Sequence, residues 1–333
     1  MQRKCKTYAM ILLLGAGILK AKAQQNVQFS QYVFNGLSVN PAYAGYKESW
    51  YLNASYRHQW VGFPGAPRTG GISLDGLTGV RDNRVGVGIQ ASFDNLGPQE
   101  ALSLYSSYAY RIPFDDEDTR RLCLGIGVGV TQYAIDGTAL QYIDNNDFAI
   151  PAGKTTTIIP DARFGIYYYT PSFYLGVSVM DLFSLYTDVT NYTWRAYHYA
   201  TIRKTQHLYL TTGTVFNVGD NLKLKPSVMI KEDFKGPTNV DLNAFLLLSE
   251  KLWVGASYRT SLKLWKSALP NDLNTLDAAS IMVEFYATNQ LRIGYSYDLN
   301  VNRMAGYQGG SHELSLGWLF PSKKYNITNP RYF

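Results

Sequence analysis

The chain has 333 residues, 46% of them hydrophobic and 14% aromatic with 27 tyrosines, two cysteines and a formal net charge of +6. Five of its 31 basic residues and none of its 25 acidic ones fall in the first 23 positions, so the remainder is close to neutral and offers no basic surface for nucleic acid. Only Cys123 lies beyond those positions, which excludes an internal disulfide and a cysteine metal site.

Residues 1–23 have the form of a secretory signal. Arg3, Lys4 and Lys6 precede an apolar stretch, Ala9–Leu19, and Ala21-Lys22-Ala23 precedes Gln24. Lys20 and Lys22 stop the stretch well short of the roughly 20 apolar residues that a spanning helix needs. Cys5 lies ahead of the apolar core, which argues against lipoprotein processing. The expected organisation is a signal peptide at 1–23, a periplasmic or lumenal segment at 24–49, a barrel at 50–320 and a periplasmic tail at 321–333.

From Trp50 onward, apolar residues alternate with polar or small ones in fourteen segments, roughly 50–57, 70–77, 84–93, 100–110, 121–133, 160–169, 172–181, 206–216, 222–231, 239–248, 251–259, 278–287, 290–299 and 312–320. The gaps after even-numbered segments are tight, as at Thr170-Pro171, Ser249-Glu250 and Thr288-Asn289. Several gaps after odd-numbered segments are long: 58–69, 134–159, 182–205, 260–277 and 300–311. An even strand count with short turns on one side and long loops on the other predicts an all-β fold, a closed antiparallel transmembrane β-barrel of about 14 strands, with 12 or 16 the nearest alternatives. Closure also satisfies the strand edges that lipid could not hydrate.

Strand parity assigns the faces. Leu122, Leu124, Ile126, Val128 and Val130 would face lipid, with Cys123, Gly125, Gly127, Gly129 and Thr131 inward. Lys223, Lys225, Lys231, Glu284, Arg292 and Asp298 all fall on inward positions. The same face is expected to hold Arg57, Arg68, Asp75, Asp161, Arg163, Asp241, Arg259 and Glu313, whose mixed signs suit ion-paired filling better than a selective ring.

Few motifs point to chemistry. Gly125-Ile126-Gly127-Val128-Gly129 lies within a strand and lacks the spacing of a dinucleotide loop. Asp115-Asp116-Glu117-Asp118 reads as a solvated turn, and Asp144-Asn145-Asn146-Asp147 lacks the glycine and terminal glutamate of a calcium loop. No serine motif accompanies His58, His198, His207 or His312. No catalytic, cofactor or metal residues are assigned, and the reading is non-enzymatic.

Phe29-Ser30-Gln31-Tyr32, continuing through Phe34-Asn35-Gly36-Leu37 to Asn40-Pro41-Ala42-Tyr43-Ala44-Gly45, resembles the opening motif of the PorP/SprF family of the type IX secretion and gliding machinery of Bacteroidota. The likeness continues at Tyr56-Arg57-His58-Gln59-Trp60, Pro64–Thr69, Tyr108–Ile112, Pro160-Asp161, Lys225-Pro226-Ser227, Asp241, Asn243, Ala256–Arg259, Gly294–Asp298 and Gly310–Glu313. The resemblance implies an outer-membrane protein needed for secretion or surface anchoring of a large adhesin that carries a C-terminal sorting domain. Other type IX components are implied as periplasmic partners. A passive porin or small-solute transporter is the alternative. The tail 321–333 runs past the point where members are expected to stop.

Two sites are expected. The segment 24–49, with Phe29, Tyr32, Phe34, Asn40, Pro41 and Tyr43, is too apolar to hang in water and would plug the lumen, its aromatics packing among Gly86, Gly88, Gly125 and Gly127. Asn40 before Pro41 imposes an extended or turn conformation, and Gly36 and Gly45 permit tight bends. A partner would dock on the extracellular loops through Trp60 and Phe63 of the first, Tyr192, Trp194 and Tyr197 of the fourth, and Leu264 and Trp265 of the sixth.

Overall fold

A computed structural model describes residues 30–80, 83–139, 153–185, 205–234, 236–264, 275–302, 305–320 and 332–333, together with the backbone of 191–194 and 197–200. The signal 1–23, Phe29, the Asp144–Asp147 run, Trp265 and most of the tail lie outside those residues.

Fourteen antiparallel strands form the wall: β1 Tyr51–His58, β2 Arg68–Leu77, β3 Val85–Leu96, β4 Gln99–Pro113, β5 Arg121–Asp136, β6 Lys154–Tyr169, β7 Phe173–Met180, β8 His207–Thr214, β9 Leu222–Glu232, β10 Thr238–Leu248, β11 Leu252–Leu262, β12 Leu276–Tyr286, β13 Leu291–Asn300 and β14 Ser311–Leu319. Each strand pairs with its neighbours in sequence, β8 bridges β7 and β9, and β1 pairs with β14 from Tyr51↔Leu319 to His58↔His312, which closes the barrel. Phe216–Gly219 prolongs β8 along β9. The predicted boundaries shift most at β6, which starts at Lys154 rather than near 160, because Thr155–Ile159 stay paired with β5 up to Asp136↔Lys154.

Turns at one end are short. Ser249 and Glu250 both have positive φ (51° and 56°), and the Lys251 N–H donates to the Leu248 carbonyl at 3.0 Å, the signature of a type I′ turn between β10 and β11. The other end carries the long connections, including the fourth, in which Asn191–Trp194 pairs with Tyr197–Ala200 as a hairpin.

The outer wall is apolar and uncovered: Ile126 is 54% exposed, Val128 59% and Ile281 59%, whereas Glu284 on the opposite face of β12 is 1% exposed. Such an inverted distribution suits a hydrocarbon surround, where Arg or Lys at mid-depth would cost about 2–4 kcal/mol. No helix among the described residues is long and apolar enough to cross a membrane. One expected inward charge is misplaced by the sequence reading. Arg68 is exposed, because the inward positions of β2 are the odd ones, Thr69, Ser73 and Asp75, and Arg68 projects from the rim of the long-loop end.

Candidate functional site

The buried core lies inside the barrel and is built on residues 30–49, which run as three 3-10 turns, Ser30–Phe34, Gly36–Ser38 and Pro41–Tyr43, before entering β1. A segment this short has no sheet partner and must satisfy its backbone groups through side chains of the wall. Glu313 of β14 supplies the first set. Its carboxylate accepts the Ser30 N–H at 2.7 Å and the Gln31 N–H at 3.2 Å, and its own carbonyl accepts from Gln31 Nε2 at 3.0 Å. Arg57 bridges Glu313 at 3.2 Å and Asp298 at 2.5 Å, and Asp298 also accepts from the Ser30 hydroxyl at 2.6 Å. Four stretches of the family-like sequence, separated by up to 283 residues, thus meet in one buried cluster. At the other end of the segment Glu48 pairs with Arg111 at 3.1 Å and with Arg121, fixing the entry to β1. Two further inward pairs join neighbouring strands: Arg259 with Asp241 at 2.9 Å and Arg292 with Glu284 at 3.2 Å.

Inward glycines and inward aromatic residues receive different parts of the segment. A Cβ on Gly125 would lie 2.2 Å from the Ala42 nitrogen, and one on Gly86 would lie 2.0 Å from the Ala44 oxygen, so these wall positions admit the backbone of the segment and nothing larger. This corrects the expectation that the segment's rings pack among the glycines. The neighbours there are Pro41, Ala42, Ala44 and Leu37, because a missing side chain leaves room for a main chain rather than a flat wall for a ring. The rings of the segment pack on other rings. Phe34 meets Phe245 edge-on at 5.1 Å and Trp253 at 6.4 Å, and Tyr43 meets Tyr46 at 4.9 Å and Tyr167 at 5.6 Å. Tyr32 accepts from Asn243 Nδ2 at 2.8 Å. Each such buried ring or leucine contributes about 1.5–3 kcal/mol relative to exposure. Asn40 is extended (φ −149°, ψ 116°) as its place before Pro41 requires; its amide oxygen accepts from the Ala42 N–H at 2.9 Å and its Nδ2 donates to the Ile166 carbonyl at 3.0 Å. Gly45 has φ +80°, whereas Gly36 is confined by the Tyr43 ring, 2.3 Å from where its Cβ would stand.

Tyr332 and Phe333 occupy the short-turn end of the lumen, a placement that nothing in the sequence reading anticipated. The Phe333 main-chain oxygen accepts from Tyr43 Oη at 2.6 Å and from Lys47 Nζ at 2.7 Å, and the Tyr332 carbonyl accepts from Lys225 Nζ at 2.7 Å. The Phe333 ring lies 4.6 Å from that of Tyr174. Below it, Asp115–Asp118 forms a closed turn in which Asp115 accepts from the backbone of Thr119 and Arg120 at 2.8 and 2.9 Å. Hydrogen bonds from the Thr119 side chain and these amides hold the Asp115 carboxyl below the usual carboxylate range.

At the long-loop end the expected docking residues are spread around the rim. Trp60 and Phe63 touch edge-on at 6.4 Å in the first loop, with Phe63 exposed. Leu264 is exposed where β11 enters the sixth loop, and Tyr192, Trp194 and Tyr197 sit on the hairpin of the fourth. The order of strands separates these three loops around the mouth, so together they frame it rather than form one patch. Inside the mouth, above residues 30–49, is a cavity of about 160 Å³ lined by Tyr105, Arg163, Tyr209, Lys231, Asp241 and Arg259, with the Arg163 guanidinium 3.3 Å over the Tyr105 ring. Among the described residues no group of His, Cys, Asp and Glu is placed to hold a metal ion.

The chain is similar to solved outer-membrane barrels. The CymD monoaromatic hydrocarbon channel is 10% identical over 87% of this chain and 93% of its own, with a TM-score of 0.50. A FadL homologue of Pseudomonas aeruginosa is 13% identical over 87% and 94% (TM-score 0.46), and Omp33 of Acinetobacter baumannii is 10% identical over 83% and 100% (TM-score 0.45). Only the first superposes well enough to bear on the fold, and it bears on the fold alone. Among curated proteins no relative matches the chain. The family described as type IX secretion system membrane protein PorP/SprF matches residues 21–318, which takes in the lumenal segment, thirteen strands with all but the last residue of β14, and every ion pair described above. The chain is therefore an outer-membrane β-barrel belonging to the type IX secretion system membrane protein PorP/SprF family.

Proposed function

We propose that this barrel is a non-enzymatic partner in the secretion or surface anchoring of a large adhesin, engaged through that adhesin's C-terminal sorting domain. The observation that carries the reading is the filled lumen. A wide bore whose own chain is clamped at Glu313 and at Glu48 is organised to hold a fixed shape rather than to pass solutes. Outer-membrane barrels keep short turns in the periplasm and long loops outside. On that orientation the rim bearing Trp60, Phe63, Tyr192, Trp194, Tyr197 and Leu264 faces the finished product, and the turns near Asp115–Arg121 face other components of the machinery. Aromatic anchors at an interface contribute more than about 2 kcal/mol each when they act as hot spots.

Affinity purification from the native outer membrane, followed by mass spectrometry, tests the reading. The unaltered chain is expected to bring down a large secreted protein with a C-terminal sorting domain. The double variant Trp194→Ala/Tyr197→Ala is expected to release that protein while still migrating as a folded barrel. Retention by the double variant would move the interface to the short-turn end. A passive porin or small-solute transporter is the second reading, favoured by the cavity of about 160 Å³ beneath the mouth.

A further inference from the structure

The short-turn end of the lumen holds a site whose occupant is separate from its walls. The walls come from three directions: Tyr43, Tyr46 and Lys47 from the lumenal segment, Tyr174 from β7, and Lys225 and Trp253 from β9 and β11. All of these lie within the stretch that matches the family, residues 21–318, whereas Tyr332 and Phe333 lie outside it. Barrel and lumenal segment thus build the site, and the tail merely enters it.

Its chemistry is specific. Lys225 is fully buried, and the Tyr332 carbonyl at 2.7 Å is the acceptor for its ammonium. A buried ammonium left without an acceptor costs several kcal/mol, so an emptied site must recruit water or another acceptor. Lys47 and Tyr43 converge on the Phe333 main-chain oxygen, and Tyr46 Oη accepts the Phe333 N–H at 3.3 Å. Two main-chain oxygens, those of Tyr332 and Phe333, are therefore read by two lysines and a phenol. The side chains are read by rings and cations: Tyr174 at 4.6 Å from Phe333, Trp253 at 6.5 Å from Tyr332, and Lys225 Nζ 5.3 Å over the Phe333 ring. The arrangement selects consecutive aromatic residues presenting main-chain oxygens toward the lysines.

We infer that the short-turn end of the lumen is a binding site for an aromatic dipeptide segment, filled in cis by Tyr332–Phe333 and open to exchange with a peptide of the same chemistry supplied in trans. A tethered ligand competes at an effective concentration on the order of millimolar. Peptide in trans therefore binds the unaltered chain weakly and binds a chain with a disabled tail well.

The test uses the full chain in detergent and a fluorescent synthetic peptide of residues 324–333, read by anisotropy. The variant Tyr332→Ala/Phe333→Ala is expected to bind the peptide at least tenfold more tightly than the unaltered chain. A peptide carrying the same two alanines is expected not to bind. Adding Lys225→Met to the disabled-tail variant is expected to weaken binding at least tenfold. Methionine fills a similar volume without a charge to bury, so the barrel is expected to keep its heat-modifiable migration; Lys47→Met serves in its place should that band be lost. Equal affinity of the unaltered and disabled-tail chains, no saturable binding by a folded disabled-tail chain, or binding indifferent to both lysines would overturn the inference.

Discussion

Replacing Glu313 by glutamine probes the seat of the lumenal segment with almost no change in volume. The carboxylate receives three donors: the Ser30 and Gln31 N–H groups at 2.7 and 3.2 Å, and Arg57 Nη1 at 3.2 Å. An amide offers one oxygen in place of two, so one buried N–H of the segment faces an NH2 group and loses its acceptor, at about 1–3 kcal/mol. The surviving bonds fall from charge-assisted to neutral strength, a loss of about 1 kcal/mol more. Arg57 keeps Asp298 at 2.5 Å, so the barrel is not left with an unpaired cation. The expected total is about 2–4 kcal/mol, and it falls on docking of residues 30–34 because both backbone donors belong to them. Hydrogen exchange read by mass spectrometry is the assay. At about 1.4 kcal/mol per decade, exchange in peptides covering 30–40 is expected to speed up about thirtyfold to several hundredfold while the strands stay protected. Unchanged protection of that segment, or a loss spread evenly over the strands, would refute the account of how it is held.

Two further substitutions separate the inner and outer walls. Gly125→Val is expected to expel residues 40–45, since even a Cβ there meets the Ala42 backbone at 2.2 Å, and to raise conductance of the folded barrel; Gly127→Ala, whose nearest neighbour is at 3.4 Å, is expected to leave it unchanged. Ile126→Arg, on the lipid face, is expected to destabilise the barrel by about 2–4 kcal/mol in reversible unfolding from lipid, with no change in exchange at residues 30–49.

The wall was legible because a strand crossing a membrane carries a period-two pattern that nothing else in the chain imitates, and charges such as Lys225, Glu284 and Arg292 fall on its inward phase. Arg68 escaped that logic at the rim, where a strand meets water and parity no longer constrains charge. The apolar character of residues 26–46 signalled that they need cover, and the structure places residues 30–46 inside the barrel. Which wall they meet was not legible, because the contacts of Ser30 with Glu313 and of Asn40 with Ile166 span most of the chain and leave no local periodicity. The docking of Tyr332–Phe333 was hidden for the same reason. Strand parity places Lys225 inward, but its acceptor lies 107 residues away.

Single-channel conductance of the purified full chain in planar bilayers, compared with a chain lacking residues 26–46, tests most directly the claim that this barrel is a closed partner of the secretion machinery rather than a pore. The account predicts a full-length chain with no steady open level and a large, long-lived conductance once the segment is removed. A steady large conductance from the full-length chain, unaltered by the deletion, would contradict it and return the barrel to the porins.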